Sequence, residues 1–251
     1  MKFHVLASGS KGNATLVQEG NNLLLIDMGV NKCVLIDGLE KINKKMEDIN
    51  AAIFTHDHSD HIKGINFINK DIIYATVGTT KLNETNIIEP YEKYNIAGFE
   101  IMPLQTSHDA TNPVGYIING KKSTLVYITD TGYISERNLN LCKDKDFYII
   151  ESNHNVRMLL KSNRPQYLKE RILSDVGHLS NEDSAVYMSE IIGKNTKQIF
   201  LAHLSEECNT PELALSAYLK IFRKRRINVD LYQIRCLKQY ECVSGGDIDE
   251  D

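Results

Sequence analysis

A run of polar side chains directly after a short apolar segment constrains this chain of 251 residues more than any other feature. Residues 51–54 are apolar, and residues 55–61 then bring three histidines and two aspartates. A short apolar segment is typical of a buried strand, and the loops that follow such strands often carry functional side chains. Imidazole and carboxylate groups are ligands for zinc, manganese and iron. The run therefore predicts a site for two metal ions.

The composition is that of an ordinary globular protein, with 42% apolar and 25% charged residues and a net charge of −4. No run approaches the ~20 apolar residues of a membrane span. The apolar part of residues 1–9 is too short for a secretory signal. The five cysteines form no C-x-x-C pair, which is typical of reduced thiols. These features predict a cytoplasmic protein without a membrane segment.

Short apolar runs alternate with helix-like segments, and no linker or repeat divides them. This pattern predicts one α/β domain over residues 1–243, followed by an acidic tail over residues 244–251. The predicted strands cover residues 3–7, 15–18, 22–27, 51–54, 72–75, 99–105, 114–119, 124–128, 147–150, 198–201 and 229–232. The predicted helices cover residues 32–45, 62–69, 136–142, 181–192 and 211–223.

Four further polar residues stand at or near the ends of apolar runs, namely Asp27, His108, Asp130 and His203. Together with the H-x-H-x-D-H spacing of residues 56–61, their order along the chain resembles that of the metallo-β-lactamase fold. The resemblance implies a four-layer αββα sandwich in which the metals lie at one edge, between the two sheets.

The same resemblance implies a complete set of metal ligands. His56, His58 and His108 would hold one divalent ion, Asp60, His61 and His203 a second, and Asp130 would bridge both. The ions would be zinc or manganese, with iron also possible. A hydroxide held between them would be the nucleophile, with Asp60 counted among the catalytic residues. Asp27 would support the loop by hydrogen bonding, or would only form the turn after its strand.

Two later segments indicate a nuclease. Residues 177–181 and 201–205 resemble the paired histidine motifs of ribonuclease Z and related phosphodiesterases, so His178 would stabilise the transition state or protonate the leaving group. A helix-entry residue without chemistry is the alternative for His178. A closer resemblance is to the YycJ-like (WalJ) branch, at residues 7–14, 55–61, 151–154, 171–175, 177–181 and 203–212. It implies a metal-dependent 5′-to-3′ exonuclease that acts on DNA.

Several residues are also predicted to contact the phosphates of a nucleic acid, and the branch implies that this nucleic acid is DNA. The predicted contact residues are Ser8, Ser10, Asn13, Asn153, His154, Arg171 and Asn209. The basic side chains of residues 157–171 would form a groove for the backbone or only a solvated helix face. A thioester or ester hydrolase of the glyoxalase II type is the alternative activity, and a binding module with an inactive site is a third. The sequence leaves the oligomeric state open.

Overall fold

The structure is a computed structural model that describes residues 1–80 and 85–247. The chain forms two compact units, each assembled from separate segments. The first comprises Met1–Gln105, Ala110–Ser123 and Lys238–Asp251. The second comprises Thr106–Asp109 and Thr124–Leu237.

The first unit is built mainly from strands. These are β1 (Lys2–Ala7), β2 (Ala14–Glu19), β3 (Asn22–Ile26), β4 (Ala51–Ile53), β5 (Ile73–Ala75), β6 (Asn86–Ile87), β7 (Tyr94–Ile96), β8 (Phe99–Gln105), β9 (Val114–Asn119) and β14 (Val243–Gly246). A seven-stranded sheet has the order β14-β1-β2-β3-β4-β5-β6. Strands β7, β8 and β9 pair as an antiparallel meander.

Parallel pairing in the centre of this sheet places the loop that contains the predicted metal ligands. Strand β4 pairs with β3 in the register Ile26↔Ile53, and all three of its residues are buried. Helix α1 (Lys32–Lys41) packs beside β1 at Gly38, where a Cβ atom would lie 2.5 Å from Leu6 Cδ2. Helix α2 (Ser59–Ile62) follows β4. The predicted helix over residues 62–69 is wrong, because only a 3₁₀ turn (Ile65–Phe67) forms there.

The chain returns to the first unit through its last strand. Strand β14 pairs antiparallel with β1, from Val5↔Val243 to Lys2↔Gly246. Asp247 then accepts hydrogen bonds from the amino group of Met1, at 3.1 Å, and from Ser123 Oγ, at 2.8 Å. The predicted acidic tail therefore does not begin at residue 244, because edge pairing orders this segment. Residues 248–251 of that tail lie outside the described residues.

The second unit is a parallel sheet with helices. Its strands are β10 (Thr124–Ile128), β11 (Phe147–Glu151), β12 (Gln198–Ala202) and β13 (Gln233–Cys236), paired in that order. Its helices are α3 (Glu136–Leu141), α4 (Val156–Lys161), α5 (Gln166–Leu173), α6 (Asn181–Ile191) and α7 (Pro211–Lys224). The predicted strand over residues 229–232 is wrong, because a 3₁₀ turn (Val229–Leu231) precedes β13.

Local sequence explains where the long helices of the second unit begin. Ser180 caps α6 by accepting a hydrogen bond from the backbone N–H of Asp183, and Thr210 caps α7 with proline as its first residue. Helix α7 then buries Tyr218 and Phe222. Because β10 to β12 are parallel, their carboxyl ends lie at one edge of the sheet, where functional residues meet.

Two further observations concern the helices and the cysteines. Across residues 1–80 and 85–247, no helix has the length and apolar character needed to cross a membrane. All five cysteines are free thiols.

Candidate active site

Three histidines converge in the first unit on the loop after β4. The ring centroid of His56 lies 4.7 Å from that of His58 and 4.0 Å from that of His61. His56 and His61 are buried, at 1% and 0% exposure. The structure thus brings the three imidazoles of the H-x-H-x-D-H motif together.

Asp27 holds this loop in place from the end of β3. Its Oδ1 accepts a hydrogen bond from the backbone N–H of Thr55, at 2.8 Å. Its Oδ2 lies 2.8 Å from Nδ1 of His61 and 2.9 Å from Thr55 Oγ1. A carboxylate at Nδ1 selects the tautomer whose Nε2 carries the lone pair, which is the arrangement found around metal-binding histidines.

Two neighbouring loops pack tightly against the backbone of Asp60. The backbone N–H of Asn13 donates to the Asp60 carbonyl at 2.8 Å, and its side-chain amide lies 3.0 Å from Nε2 of His61. A Cβ atom on Gly29 would lie 1.6 Å from the Asp60 carbonyl oxygen, so only glycine fits there. Asn13 is 1% exposed, and it stabilises this loop. Its contact with a substrate stays a prediction, as do those of Ser8 and Ser10.

A second cluster forms in the second unit, where four side chains each place one candidate ligand atom within 4.8 Å of the others. These are Asp130, Glu151, His178 and His203. Asp130 and His203 follow β10 and β12, and Glu151 ends β11. Asp130 has φ +37° and His203 has φ +54°, a left-handed conformation that costs free energy in residues other than glycine. These strained turns direct both side chains into the cluster.

Glu151 is the organising residue of this second cluster. Its Oε1 lies 2.7 Å from Nδ1 of His178 and 3.0 Å from Nδ1 of His203. Its Oε2 accepts hydrogen bonds from the backbone N–H groups of Thr131 and Leu179. Burial alone raises its pKa, but the charge of His178 and the hydrogen bonds from both histidines outweigh that effect and lower the pKa to about 2. Glu151 is therefore a buried carboxylate that orients two histidines.

Glu151 was not among the site residues predicted from the sequence, although the motif at residues 151–154 contains it. The signal was a carboxylate that ends the apolar strand β11, at a position where 0% of the residue is exposed. A buried carboxylate has to be paired, so its partners mark a site.

His178 and His108 have different surroundings within the second unit. The ring centroid of His178 lies 5.0 Å from that of His108 and 5.3 Å from that of His203. The side chain of His178 is 14% exposed. His108 lies with Nδ1 3.0 Å from the carbonyl of Gly177, and burial lowers its pKa although the Asp130 charge opposes this. A neutral imidazole of this kind is suited to metal coordination.

Two of the predicted substrate contacts take part in the framework of the second unit. The Asn153 side-chain amide donates to the backbone carbonyl of His203 at 2.9 Å. The Asn209 amide donates to the carbonyls of Ser152, at 2.9 Å, and Asn153, at 3.0 Å. Both asparagines are buried, at 7% and 5% exposure. Their contact with a substrate stays a prediction.

The two remaining residues predicted to contact the substrate, His154 and Arg171, have different surroundings. Both ring nitrogens of His154 are buried and lack a hydrogen-bond partner within the described part of the chain, and burial lowers its pKa to about 4. Arg171 donates hydrogen bonds from both Nε and Nη2 to the carboxylate of Asp109. Contact of either residue with a substrate stays a prediction.

The donor groups fit divalent metal ions. Imidazole and carboxylate side chains dominate both clusters. A buried carboxylate lies against Nδ1 in both His61 and His203, which favours the tautomer that carries its lone pair on Nε2. Which residues bind each ion stays a prediction.

The sequence comparisons agree with this fold and this chemistry. Residues 24–203 match the model of the family described as the beta-lactamase superfamily domain. The chain belongs to this superfamily, so the predicted α/β fold of the metallo-β-lactamase type is confirmed. Together with the relatives named below, the match also confirms the prediction of a metal-dependent hydrolase.

Two relatives of known activity indicate to which branch of the superfamily the chain is most similar. The chain is 37% identical over 228 residues to the exodeoxyribonuclease WalJ of Streptococcus pneumoniae, with 85% of each chain covered. It is 34% identical over 242 residues to the exodeoxyribonuclease YycJ of Bacillus anthracis, covering 91% of this chain and 92% of the relative. The crystal structure of the metallo-β-lactamase fold protein YhfI from Bacillus subtilis is similar in fold, with a TM-score of 0.71 and 18% sequence identity. The match covers 96% of this chain and 98% of the YhfI chain. The predicted YycJ-like branch is thus confirmed.

Proposed function

We propose that this chain is a metal-dependent exodeoxyribonuclease that removes nucleotides from the 5′ end of DNA. The observation that carries the proposal is the likeness to two relatives named exodeoxyribonuclease, each covering at least 85% of the chain. The cluster around Glu151 supports it, because it holds a partly exposed histidine beside buried carboxylates.

The proposal includes two divalent ions, zinc or manganese, with iron also suitable. The ligands would be His56, His58, Asp60, His61, His108, Asp130 and His203. When bound, the ions would lower the pKa of a water molecule and offset the negative charge that develops on the phosphate. The cytoplasm is the proposed location, because all five cysteines are free thiols.

His178 is proposed to act on the leaving group. Its Nδ1 lies 2.7 Å from Glu151 Oε1, which leaves Nε2 for contact with a substrate. The carboxylate holds the ring in place, and a proton on Nε2 would be donated to the oxygen of the departing nucleotide or to a phosphate oxygen. The partial exposure of the side chain gives such an oxygen access.

Digestion of end-labelled substrates tests the proposal. Single-stranded and double-stranded DNA and RNA, labelled at either end, are incubated with zinc, manganese or iron(II). We expect a 5′ label to be released at once as a mononucleotide, while a 3′-labelled DNA strand shortens progressively. If DNA stays intact with every metal while a thioester is hydrolysed, the activity is of the glyoxalase II type and the proposal is wrong.

A pair of histidine variants tests the role of His178. His178→Ala should lower kcat on DNA by about 100- to 10,000-fold, the usual contribution of general acid catalysis. His4→Ala is the matched control, because His4 lies in β1 with Nδ1 2.7 Å from Ser244 Oγ. An unchanged kcat in His178→Ala would show that His178 takes no part in the reaction.

A further inference from the structure

Gln239 is a buried polar residue to which the proposed chemistry gives no role. It lies between β13 and β14, in the first unit, and is 7% exposed. Its Oε1 accepts a hydrogen bond from the backbone N–H of Lys11 at 2.9 Å, and its Nε2 donates to the carbonyl of Gly12 at 2.8 Å. Both ends of one side-chain amide therefore hold two consecutive residues of a loop that is distant in the sequence.

The loop that Gln239 holds connects β1 to β2 over residues 8–13, and its own hydrogen bonds close it. The backbone N–H of Gly12 donates to the carbonyl of Gly9 at 3.0 Å. The side chain of Asn13 also closes the loop, because its Oδ1 accepts from the backbone N–H of Gly9 at 2.8 Å and its Nδ2 donates to the carbonyl of Gly9 at 3.1 Å. The loop is therefore a compact turn, and its contacts outside residues 8–13 decide where it lies.

One of these outside contacts is a close approach of two backbone segments. Gly12 has φ +153°, a conformation that favours glycine, and a Cβ atom there would lie 2.6 Å from the carbonyl oxygen of Gly29. The backbone N–H of Gly29 donates to the carbonyl of Asn13 at 2.9 Å. The loop is therefore fixed both by its backbone contacts with Gly29 and by its hydrogen bonds with Gln239.

The last residue of the loop contacts two proposed metal ligands. The backbone N–H of Asn13 donates to the carbonyl of Asp60 at 2.8 Å, and Nδ2 of Asn13 lies 3.0 Å from Nε2 of His61. An amide nitrogen only donates, so Nε2 of His61 accepts and its lone pair is directed at the loop. This is the nitrogen that is proposed to coordinate metal. Because Asp60 and His61 are proposed ligands of the same ion, the loop lies beside the ligands of that ion.

We infer that Gln239 is a positioning residue for the ion held by Asp60 and His61. It fixes the loop of residues 8–13, and the loop fixes the backbone from which the Asp60 carboxylate extends. Ligands that are held in place before an ion binds lose less conformational freedom when it binds. Gln239 therefore raises the affinity of this ion and leaves that of the other proposed ion unchanged. The inference rests on the proposed function and adds to it a residue that controls the occupancy of one of its two ions.

Zinc titrations of two single-ion proteins test this inference. His58→Ala removes a ligand of the other ion, and Asp60→Ala removes a ligand of the ion that Gln239 positions. Competition with a coloured chelator measures the zinc affinity of each full chain with and without Gln239→Met, which keeps the side-chain length and lacks the amide. Gln239→Met should weaken zinc binding about 10-fold in the His58→Ala protein, the lower end of the effect of losing a residue that orients a metal ligand. It should leave the affinity of the Asp60→Ala protein unchanged.

Tyr148→Phe is the matched control for the loss of two hydrogen bonds to the backbone. The hydroxyl of Tyr148 accepts from the backbone N–H of Lys145 at 2.8 Å and donates to the carbonyl of Cys142 at 2.7 Å. Tyr148 lies on β11, in the second unit. Tyr148→Phe should leave zinc affinity unchanged in both single-ion proteins, and urea unfolding without metal shows whether each variant is folded. If Gln239→Met does not fold, Gln239→Glu takes its place, because its carboxylate keeps one acceptor and loses the donor.

The outcomes separate this inference from the proposed function. If the wild-type chain binds fewer than two ions of zinc, manganese or iron, or does not hydrolyse DNA, the proposed function fails. If it binds two ions and hydrolyses DNA, but the Gln239 variant weakens zinc binding equally in both single-ion proteins, the function stands and the inference is wrong, because a general loss of stability explains that result. Unchanged or tighter zinc binding in the His58→Ala protein also overturns the role of Gln239.

Discussion

The Oε1 atom of Glu151 lies 2.7 Å from Nδ1 of His178, inside the second unit and at the carboxyl end of β11. The same oxygen lies 3.0 Å from Nδ1 of His203. One buried carboxylate therefore orients both the proposed general acid and a proposed metal ligand. Substitution of Glu151 should consequently affect catalysis and metal binding together.

Glu151→Gln should lower kcat about 10- to 100-fold, the usual effect of removing a carboxylate behind a metal-binding histidine. The neutral amide holds Nδ1 of His178 more weakly than the charged carboxylate does. Its NH₂ group would also face the backbone N–H groups of Thr131 and Leu179 or the two histidines. Steady-state kinetics and metal content by mass spectrometry measure the two effects.

Glu190→Gln is the control for this prediction, because Glu190 lies on α6 and pairs at the surface with Arg225 at 3.0 Å. Unfolding in urea shows whether each variant is folded at the assay temperature. A folded Glu151→Gln protein with wild-type kcat would show that Glu151 does not position His178.

Asp27→Asn should weaken metal binding about 10- to 100-fold. The amide can present an N–H to Nδ1 of His61, which would then have to accept, and the proton would move to Nε2, the nitrogen needed for coordination. Competition with a coloured chelator measures the affinity. Asp71→Asn is the control, because Asp71 is an exposed residue of a 3₁₀ turn. Equal affinities in the two variants would contradict the role of Asp27.

Gly29→Ala should also disrupt metal binding, for a steric reason. The new Cβ atom would lie 1.6 Å from the Asp60 carbonyl, so the loop has to shift, at a cost of about 1–3 kcal/mol in stability. Gly20→Ala has φ +59° and open space around it, so it should cost about 1–2 kcal/mol through backbone strain alone. Chelator competition should show reduced affinity only for Gly29→Ala. Reduced affinity in both would mean that lost stability, and not the loop, is responsible.

The sequence predicted most of this site because its side chains follow apolar runs. Strands β3, β4, β10 and β12 are buried, and their apolar residues mark them clearly. The polar residue that follows such a run lies where the chain leaves the sheet, at the edge formed by the strand ends. That is why the sequence alone pointed to Asp27, Asp130 and His203.

Other features depend on contacts that the sequence does not display. Strand β14 reads Val-Ser-Gly-Gly, a poor strand sequence, and it is ordered by pairing with the distant β1. Helices α4 and α5 have six and eight residues, too few to show a clear helical period. Glu151 looked like the end of a strand, and only its four hydrogen bonds show its role.

His154 should make the stability of the protein depend on pH in the acid range. Burial lowers its pKa from 6.5 to about 4 in the folded state, and both ring nitrogens lack a hydrogen-bond partner in the described part of the chain. Between these values the unfolded chain binds a proton that the folded chain does not. Stability is therefore complete above pH 6.5 and falls as the pH decreases towards 4. The difference in pKa corresponds to about 3 kcal/mol.

Urea unfolding between pH 4 and pH 7 in the wild-type protein and in His154→Leu measures this contribution, with the pH limits set by the two pKa values. Leucine does not titrate, so the difference in unfolding free energy between the two proteins should change by about 3 kcal/mol in favour of the variant as the pH falls. Other titrating groups, including His4 with its lowered pKa, are present in both proteins and cancel. A difference that stays constant with pH would show that His154 is protonated equally in the folded and unfolded states. The prediction of a lowered pKa for His154 in the folded protein would then be wrong.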